Sequence, residues 1–467
     1  MAETSDDGLV PTGIAGLDRI ICGGFHRGGL YIVEGPPGTG KTTMANQIAY
    51  NRARAGDRVV YATLLAESHD RLLRYMGEFA FMDAGLVPDK VSYISAFDAL
   101  RREGLPGVLD LLRATVREAG AGLLILDGLY VAQERAASQG DFREFIYAMQ
   151  GVASLHGCTL IFITNGPQPS FSPERTMVDG IIQLGEVVQS ARRIRSLQVL
   201  KFRGARHLNG IHLFRLAAEG AIVTPRLETL FDAPPETIPA GRIASGIGGL
   251  DRMMTGGIPV GSTTLLIGPS GVGKTSIGLL FLREATAEAP GLFFGCYETP
   301  DKVRAKAESL GVDVDAMTAS GALTVAWHKP FESFLDEMAD RMLSEAARTG
   351  ARRVFIDGIG AFKQAAIFPE RVDSFFAALA IRLRQLGATT LCTLEAPEFF
   401  ANHNLVLDQI SAIAENILLL RFAETDEGRL MRLLSVLKMR DSDFDHATVP
   451  FTIGAGGIVA GADASDG

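Results

Sequence analysis

Two short stretches carry the residue types and spacing that hold phosphate: Gly-Pro-Pro-Gly-Thr-Gly-Lys-Thr from Gly35 to Thr42, and Gly-Pro-Ser-Gly-Val-Gly-Lys-Thr from Gly268 to Thr275. Both fit G-x-x-x-x-G-K-[ST] at every fixed position. The glycines Gly35, Gly38 and Gly40, and their counterparts Gly268, Gly271 and Gly273, let the backbone turn its N–H groups inward around phosphate oxygens, with Thr39 and Val272 inside the loops. Lys41 and Lys274 supply compact charge to β- and γ-phosphates, Thr42 and Thr275 offer a hydroxyl to Mg²⁺, and Thr43 and Ser276 complete each binding stretch. This is the chemistry of a nucleoside triphosphate site, present twice.

Further candidates lie downstream of each loop. Leu123 to Leu126 is an apolar run ending at Asp127, and Val354 to Ile356 ends the same way at Asp357. A buried parallel strand ending in Asp after a phosphate loop is a second metal-holding element, so Asp127 and Asp357 join Thr42 and Thr275 as expected Mg²⁺ residues. Glu67 and Glu298 each follow a strand-like run, Val59 to Leu65 and Leu292 to Tyr297. They are candidates for orienting the attacking water, with a helix-start carboxylate as the competing reading. Two more runs, Thr159 to Thr164 and Thr389 to Thr393, end in polar residues, Thr164-Asn165 and Thr393 with Glu395. They are γ-phosphate sensors or simple loop turns. Each half closes with a basic pair, Lys201 and Arg203, then Lys438 and Arg440. Alternate positions on a strand share a face, so each pair presents two cations together, either to an anion or as a charged sheet edge.

The elements that must position these residues read as α/β. Leu30 to Val33 leads into the first loop as a strand and Thr43 to Tyr50 leads away as a helix, while Thr264 to Ile267 precedes the second loop. Later runs at Ile181 to Leu184 and Asn416 to Leu420 add a strand to each half, and strands alternating with helix-length segments predict a mostly parallel, doubly wound sheet in each domain. An internal repeat sets the domains. Gly13-Ile14-x-Gly16-Leu17-Asp18 returns as Gly246-Ile247-x-Gly249-Leu250-Asp251, and the offset is unchanged between Lys41 and Lys274. The expected organisation is a first domain over 1–227, a proline-rich linker over 228–242, a second domain over 243–456 and a mobile tail over 457–467.

A length of 467 residues suits two domains, and 47% hydrophobic with 21% charged residues is ordinary for a soluble globular chain. The net charge of −9 gives no electrostatic footprint for DNA and argues against a nucleic-acid partner. Cys22, Cys158, Cys296 and Cys392 form no C-x-x-C pair, which predicts free, buried thiols in a reducing cytosol. The polar, acidic start from Met1 to Gly8 and the absence of a run of about twenty apolar residues predict a cytoplasmic protein without a membrane span.

With both Gly-x-x-Gly-Leu-Asp headers, both phosphate loops, both strand-end aspartates and both Lys-x-Arg pairs in place, the chain from about Pro11 to Phe451 resembles the KaiC family, within the RecA superfamily of ATPases. The resemblance implies two tandem RecA-like domains, ATP and Mg²⁺ as cofactors, ATP hydrolysis, and a homo-oligomeric, hexameric ring with ATP between subunits. It implies that Lys201 and Arg203, with His207 close by, face the ATP held by Lys41 of a neighbour, and that Lys438 and Arg440 serve the second ring. A regulatory role through an unidentified protein partner follows from the same likeness. Where the family carries two adjacent glutamates, this chain has Ala66-Glu67 and Tyr297-Glu298, which leaves an ATP-stabilised scaffold with little hydrolysis as an alternative. The family's phosphorylated Ser-Thr pair corresponds to Ser411 and Ala412, so Ser411 is a candidate for weak autophosphorylation or a turn residue. A RecA-like recombination or helicase motor is the other alternative.

Overall fold

The computed structural model describes residues 8–66, 69–166, 173–189, 191–230, 240–329, 333–396, 414–440 and 442–461. The chain forms two compact units, Met1–Leu230 and Phe231–Gly467. Each is built on a nine-stranded sheet.

In the first unit the strand order is Gly220–Thr224, His212–Ala217, Arg192–Phe202, Gly180–Gln189, Leu30–Gly35, Thr159–Asn165, Leu123–Asp127, Val59–Thr63, Val91–Ser95. The six strands from Gly180–Gln189 to Val91–Ser95 are mutually parallel, and the other three extend the sheet antiparallel. The inner parallel strands are buried on both faces, which is why they read as continuous apolar runs rather than alternating ones, while the edge strand Val91–Ser95 is half-exposed. Leu124, Ile125 and Leu126 are each fully buried. Odd and even residues serve different layers: Ile125 packs with Met44 and Ile48 of the helix Lys41–Arg54, whereas Leu124 and Leu126 pack with Leu112, Phe145 and Met149 of the helices Phe97–Ala119 and Gln139–His156. Each such side chain contributes about 1.5–3 kcal/mol on burial.

Read from the opposite edge, the second unit repeats this order as Leu323–Trp327, Gly291–Gly295, Arg353–Asp357, Thr389–Glu395, Thr263–Gly268, Asn416–Glu424, Leu430–Met439, Thr448–Gly454, Gly457–Ala460. The first six strands are again parallel and the last three antiparallel. The chain thus consists of two tandem RecA-like α/β domains.

Two sequence boundaries shift. Gly457–Ala460, expected as the start of a mobile tail, is an edge strand paired with Thr448–Gly454 through Phe451↔Ala460 and Thr452↔Val459. Its glycine and alanine content hid it, because the pairing is set by the partner strand rather than by its own propensity. At the expected linker, Leu227–Thr229 is a 3₁₀ turn and Arg242–Ile243 pairs with Ile258–Pro259, while 231–239 lie outside the described residues. Among the described residues no helix is long and apolar enough to cross a membrane.

Candidate functional site

Both phosphate loops sit where a central parallel strand passes into a helix. Gly40 and Gly273 are the residues before the helices Lys41–Arg54 and Lys274–Arg283, with φ of 99° and 114°, a left-handed conformation that glycine adopts without strain. Gly35 and Gly268 are fixed by close approach instead. A Cβ on either would lie 2.3 Å from the Leu184 carbonyl oxygen or 2.5 Å from that of Leu420, both on the adjoining strand. Thr39 is fully buried and its hydroxyl donates to the Pro36 carbonyl at 2.9 Å, so its side chain braces the loop from within. Val272 is likewise fully buried.

The Lys41 ammonium donates to the carbonyls of Gly35 at 2.7 Å and Pro36 at 2.9 Å. Lys274 repeats this with Gly268 at 2.8 Å and Pro269 at 2.7 Å. Burial pulls both lysines below their ordinary pKa, opposed by Asp127 in the first site and by Glu395 and Asp357 in the second. The ammonium is thus stretched along the loop and partly stripped of water, a setting in which a phosphate oxygen gains more than it would at the surface.

Asp127 and Asp357, far in sequence from the loops, meet them. Thr42 Oγ1 donates to Asp127 Oδ2 at 2.9 Å, and Thr275 Oγ1 donates to Asp357 Oδ2 at 3.0 Å. A hydroxyl beside a carboxylate is a hard oxygen donor set of the kind Mg²⁺ takes when phosphate and water supply its remaining ligands. These residues fit the ion. The two aspartates differ in their second partner. Tyr61, fully buried, donates its hydroxyl to Asp127 Oδ2 at 2.9 Å, and burial raises the phenol far above its ordinary pKa. At Asp357 the partner is Thr393, whose hydroxyl donates to Oδ1 at 2.8 Å and accepts from the Gly358 N–H at 2.7 Å. Burial raises the Asp357 carboxyl above its usual range despite these bonds. By register the first-domain counterpart of Thr393 is Ile163, level with Asp127, which has no hydroxyl to offer; Thr164 stands one position further along the strand and is buried.

The second loop opens on a cleft of about 560 Å³ that Lys274, Thr275, Asp357, Glu298 and Glu395 all line. Glu298 thus shares a cleft with the loop, but its Oε1 accepts from Lys306 Nζ at 2.6 Å and its Oε2 is buried with no hydrogen-bond partner among the described residues. Glu67 and Ser411 lie outside the described residues.

The basic pairs stand away from the loops of their own domains. Lys201 is paired with Ile181, which is paired with Ile32, and both isoleucines belong to the face covered by Phe97–Ala119 and Gln139–His156. The helix that begins at Lys41 covers the other face. The expected strand run stops one residue before the second cation of each pair: Arg203 follows the strand end at Phe202, and Arg440 follows Met439. A bulge explains the change of direction. Register shifts between Ile181 and Ile182, and between Ile417 and Leu418, leaving Leu200 and Leu437 as the extra residues just before Lys201 and Lys438. Bulges re-aim side chains next to functional sites. The cations of the first pair still converge, since Lys201 Nζ and Arg203 Nη2 each donate to the Thr176 carbonyl at 2.9 Å. Burial and the adjacent arginine lower the pKa of Lys201, and the same two causes act on Lys438.

Sequence reading missed the residues that tie these pairs to the loop strands. Asp179 accepts from the Leu30 N–H at 2.9 Å through Oδ2, its own N–H donates to the Leu30 carbonyl at 2.8 Å, and its carbonyl accepts from the Arg203 N–H at 2.7 Å. Glu415 repeats all three contacts with Thr263 and Arg440, at 2.7, 3.0 and 3.0 Å. A carboxylate just before the strand-like run in each repeat was the available signal.

Comparisons with known proteins agree with this geometry. A family model described as "ATPase: KaiC" matches residues 10–228 and again 243–465. The protein named circadian clock oscillator protein KaiC from Picosynechococcus sp. is 26% identical, covering 96% of this chain and 88% of its own. That from Nostoc sp. is 25% identical over 97% and 90%, and circadian clock oscillator protein KaiC 1 of Synechocystis sp. is 25% identical over 95% and 87%. Two domain-length matches, each enclosing one phosphate loop, one strand-end aspartate and one basic pair, place the chain in the KaiC ATPase family.

Proposed function

We propose that this chain binds ATP with Mg²⁺ at both loops and hydrolyses it in a hexameric ring of identical subunits, each site being completed by a basic pair from the next subunit. The observation that carries this reading is the placement of Lys201 on the face of the sheet opposite the helix that begins at Lys41. A cation pair turned away from its own loop serves an anion held by another copy. Lys41 and Lys274 would bind the β- and γ-phosphates, and Thr42 with Asp127 and Thr275 with Asp357 would hold the metal. Bound there, Mg²⁺ offsets phosphate charge. Lys201 with Arg203, and Lys438 with Arg440, would stabilise charge developing on the transferred phosphoryl group. Glu298, in the second cleft, would orient the attacking water after leaving Lys306. Because ATP would bind the assembled state in preference to the free subunit, nucleotide would control assembly and, through it, a protein partner in the cytoplasm.

The ion pair between Glu298 and Lys306 favours a second reading for the second domain, an ATP-stabilised ring with little hydrolysis. Light-scattering mass and ATP turnover, measured together, test both. The first reading expects ATP to raise the mass and, in a Lys274→Ala background that silences the second site, Lys201→Ala to lower turnover by about tenfold or more while ATP still binds. Assembly with turnover at background supports the scaffold, and a mass unchanged by ATP together with a Lys201→Ala variant as active as the parent contradicts the inter-subunit site.

A further inference from the structure

The strand that feeds the first phosphate loop carries a charge that the nucleotide site does not use. Glu34 stands directly before Gly35 and is 1% exposed. Its partner Arg175, on the short helix Pro173–Met177, donates from Nη1 to both carboxylate oxygens at 2.8 and 2.6 Å, and Gln183 Nε2 adds a third bond at 3.2 Å. By strand alternation Glu34 shares its face with Leu30 and Ile32, the face on which Lys201 also lies. The backbone of that same helix holds the basic pair. Lys201 Nζ donates to the carbonyls of Arg175 and Thr176, both at 2.9 Å, and Arg203 Nη2 joins it on Thr176.

We propose that the Glu34–Arg175 ion pair is a positioning device that fixes this helix, and through its carbonyls aims Lys201 and Arg203 at the nucleotide of a neighbouring subunit. The proposal rests on the inter-subunit site proposed above. A buried ion pair adds little net stability, because desolvation offsets attraction, so its value here is geometric: it ties one face of the loop strand to the helix that holds the cations. The residue before Gly268 is Ile267, which has no charge to offer, so the Glu34 side of this pair has no counterpart in the second domain, where among the described residues Lys438 donates to the Ala414 carbonyl at 3.0 Å.

The test is complementation between full-length chains, all carrying Lys274→Ala so that the second site contributes nothing. Arg175→Met is expected to lower turnover about tenfold while ATP affinity stays within about twofold, the signature of an interaction outside ground-state binding. Coassembled with Lys41→Ala chains, which bind no nucleotide there but keep an intact basic pair, it should recover roughly a quarter of parental turnover, the share of interfaces that random ring assembly builds from one intact loop and one intact pair. Lys201→Ala coassembled with Lys41→Ala is the control. Recovery in the control but none with Arg175→Met overturns the proposal, because the ion pair then acts on its own loop or on folding. Undiminished turnover in Arg175→Met overturns it too. No recovery in the control removes the inter-subunit site itself and the proposal with it. Should Arg175→Met unfold the domain by leaving Glu34 unpaired, the double variant Glu34→Ile, Arg175→Met, which installs the second domain's residue, carries the same expectations.

Discussion

Lys41 and Lys274 each donate to two carbonyls of their own loop, and burial lowers the pKa of both. The protonated form is the one that binds phosphate. ATP affinity is therefore full below the lowered pKa and weakens as pH rises through it, at a lower pH than an exposed lysine would allow. Titrating a fluorescent ATP analogue across the alkaline range checks this, and an affinity flat with pH contradicts it. Tyr61 supports a prediction of the same size. Phe293 occupies the equivalent strand position two residues before the aspartate level, so among the described residues the phenol is found on Asp127, the carboxylate proposed to hold the metal in the first site, and not on Asp357. Tyr61→Phe is expected to weaken Mg²⁺-dependent ATP binding a few-fold at the first site and leave the second unchanged, read by analogue binding in Lys274→Ala and Lys41→Ala backgrounds. The loop residues were legible because their motif is contiguous. Tyr61 was not, because it reaches Asp127 only through the pairing of Val59–Thr63 with Leu123–Asp127, and a tyrosine in an apolar run has the pattern of plain core.

At the level of elements, the five inner parallel strands of each sheet were legible because burial on both faces makes them largely apolar, whereas the half-exposed edge strands Val91–Ser95 and Leu323–Trp327 were not. Of the antiparallel extension only the strand-like runs at Lys201 and Lys438 were read. Arg192, Arg193 and Arg195 crowd the start of the strand Arg192–Phe202, and its charged face masks the alternation that a half-buried strand shows. The ties at Asp179 and Glu415 also depend on topology, since each joins the first residue of the loop strand to a residue brought beside it by strand pairing. Asp179→Ala removes a charged acceptor from the Leu30 N–H and should cost about 1.5–3 kcal/mol in urea unfolding of the first domain. A change below a few tenths of a kcal/mol would show that the carboxylate is dispensable to the strand.

For the molecule as a whole, the repeat foretold two like domains, and the two nine-stranded sheets have the same strand plan. Their cores predict thiol reactivity. Cys22, expected buried, is exposed because it sits in the turn that follows the short helix Ala15–Ile20, whereas burial pushes Cys158, Cys296 and Cys392 each up to about 12. Iodoacetamide near neutral pH should therefore modify Cys22 in the native protein and all four cysteines after denaturation, as read by intact mass; native modification of Cys392 would contradict the packing of the second domain. The central claim is that each domain is a built nucleotide site. Equilibrium dialysis of radiolabelled ATP with Mg²⁺ against the wild-type chain measures it most directly. The account predicts two nucleotides per chain, one in Lys41→Ala, one in Lys274→Ala and none in the double variant, and it is contradicted if the wild type binds one or fewer, or if neither lysine changes the count.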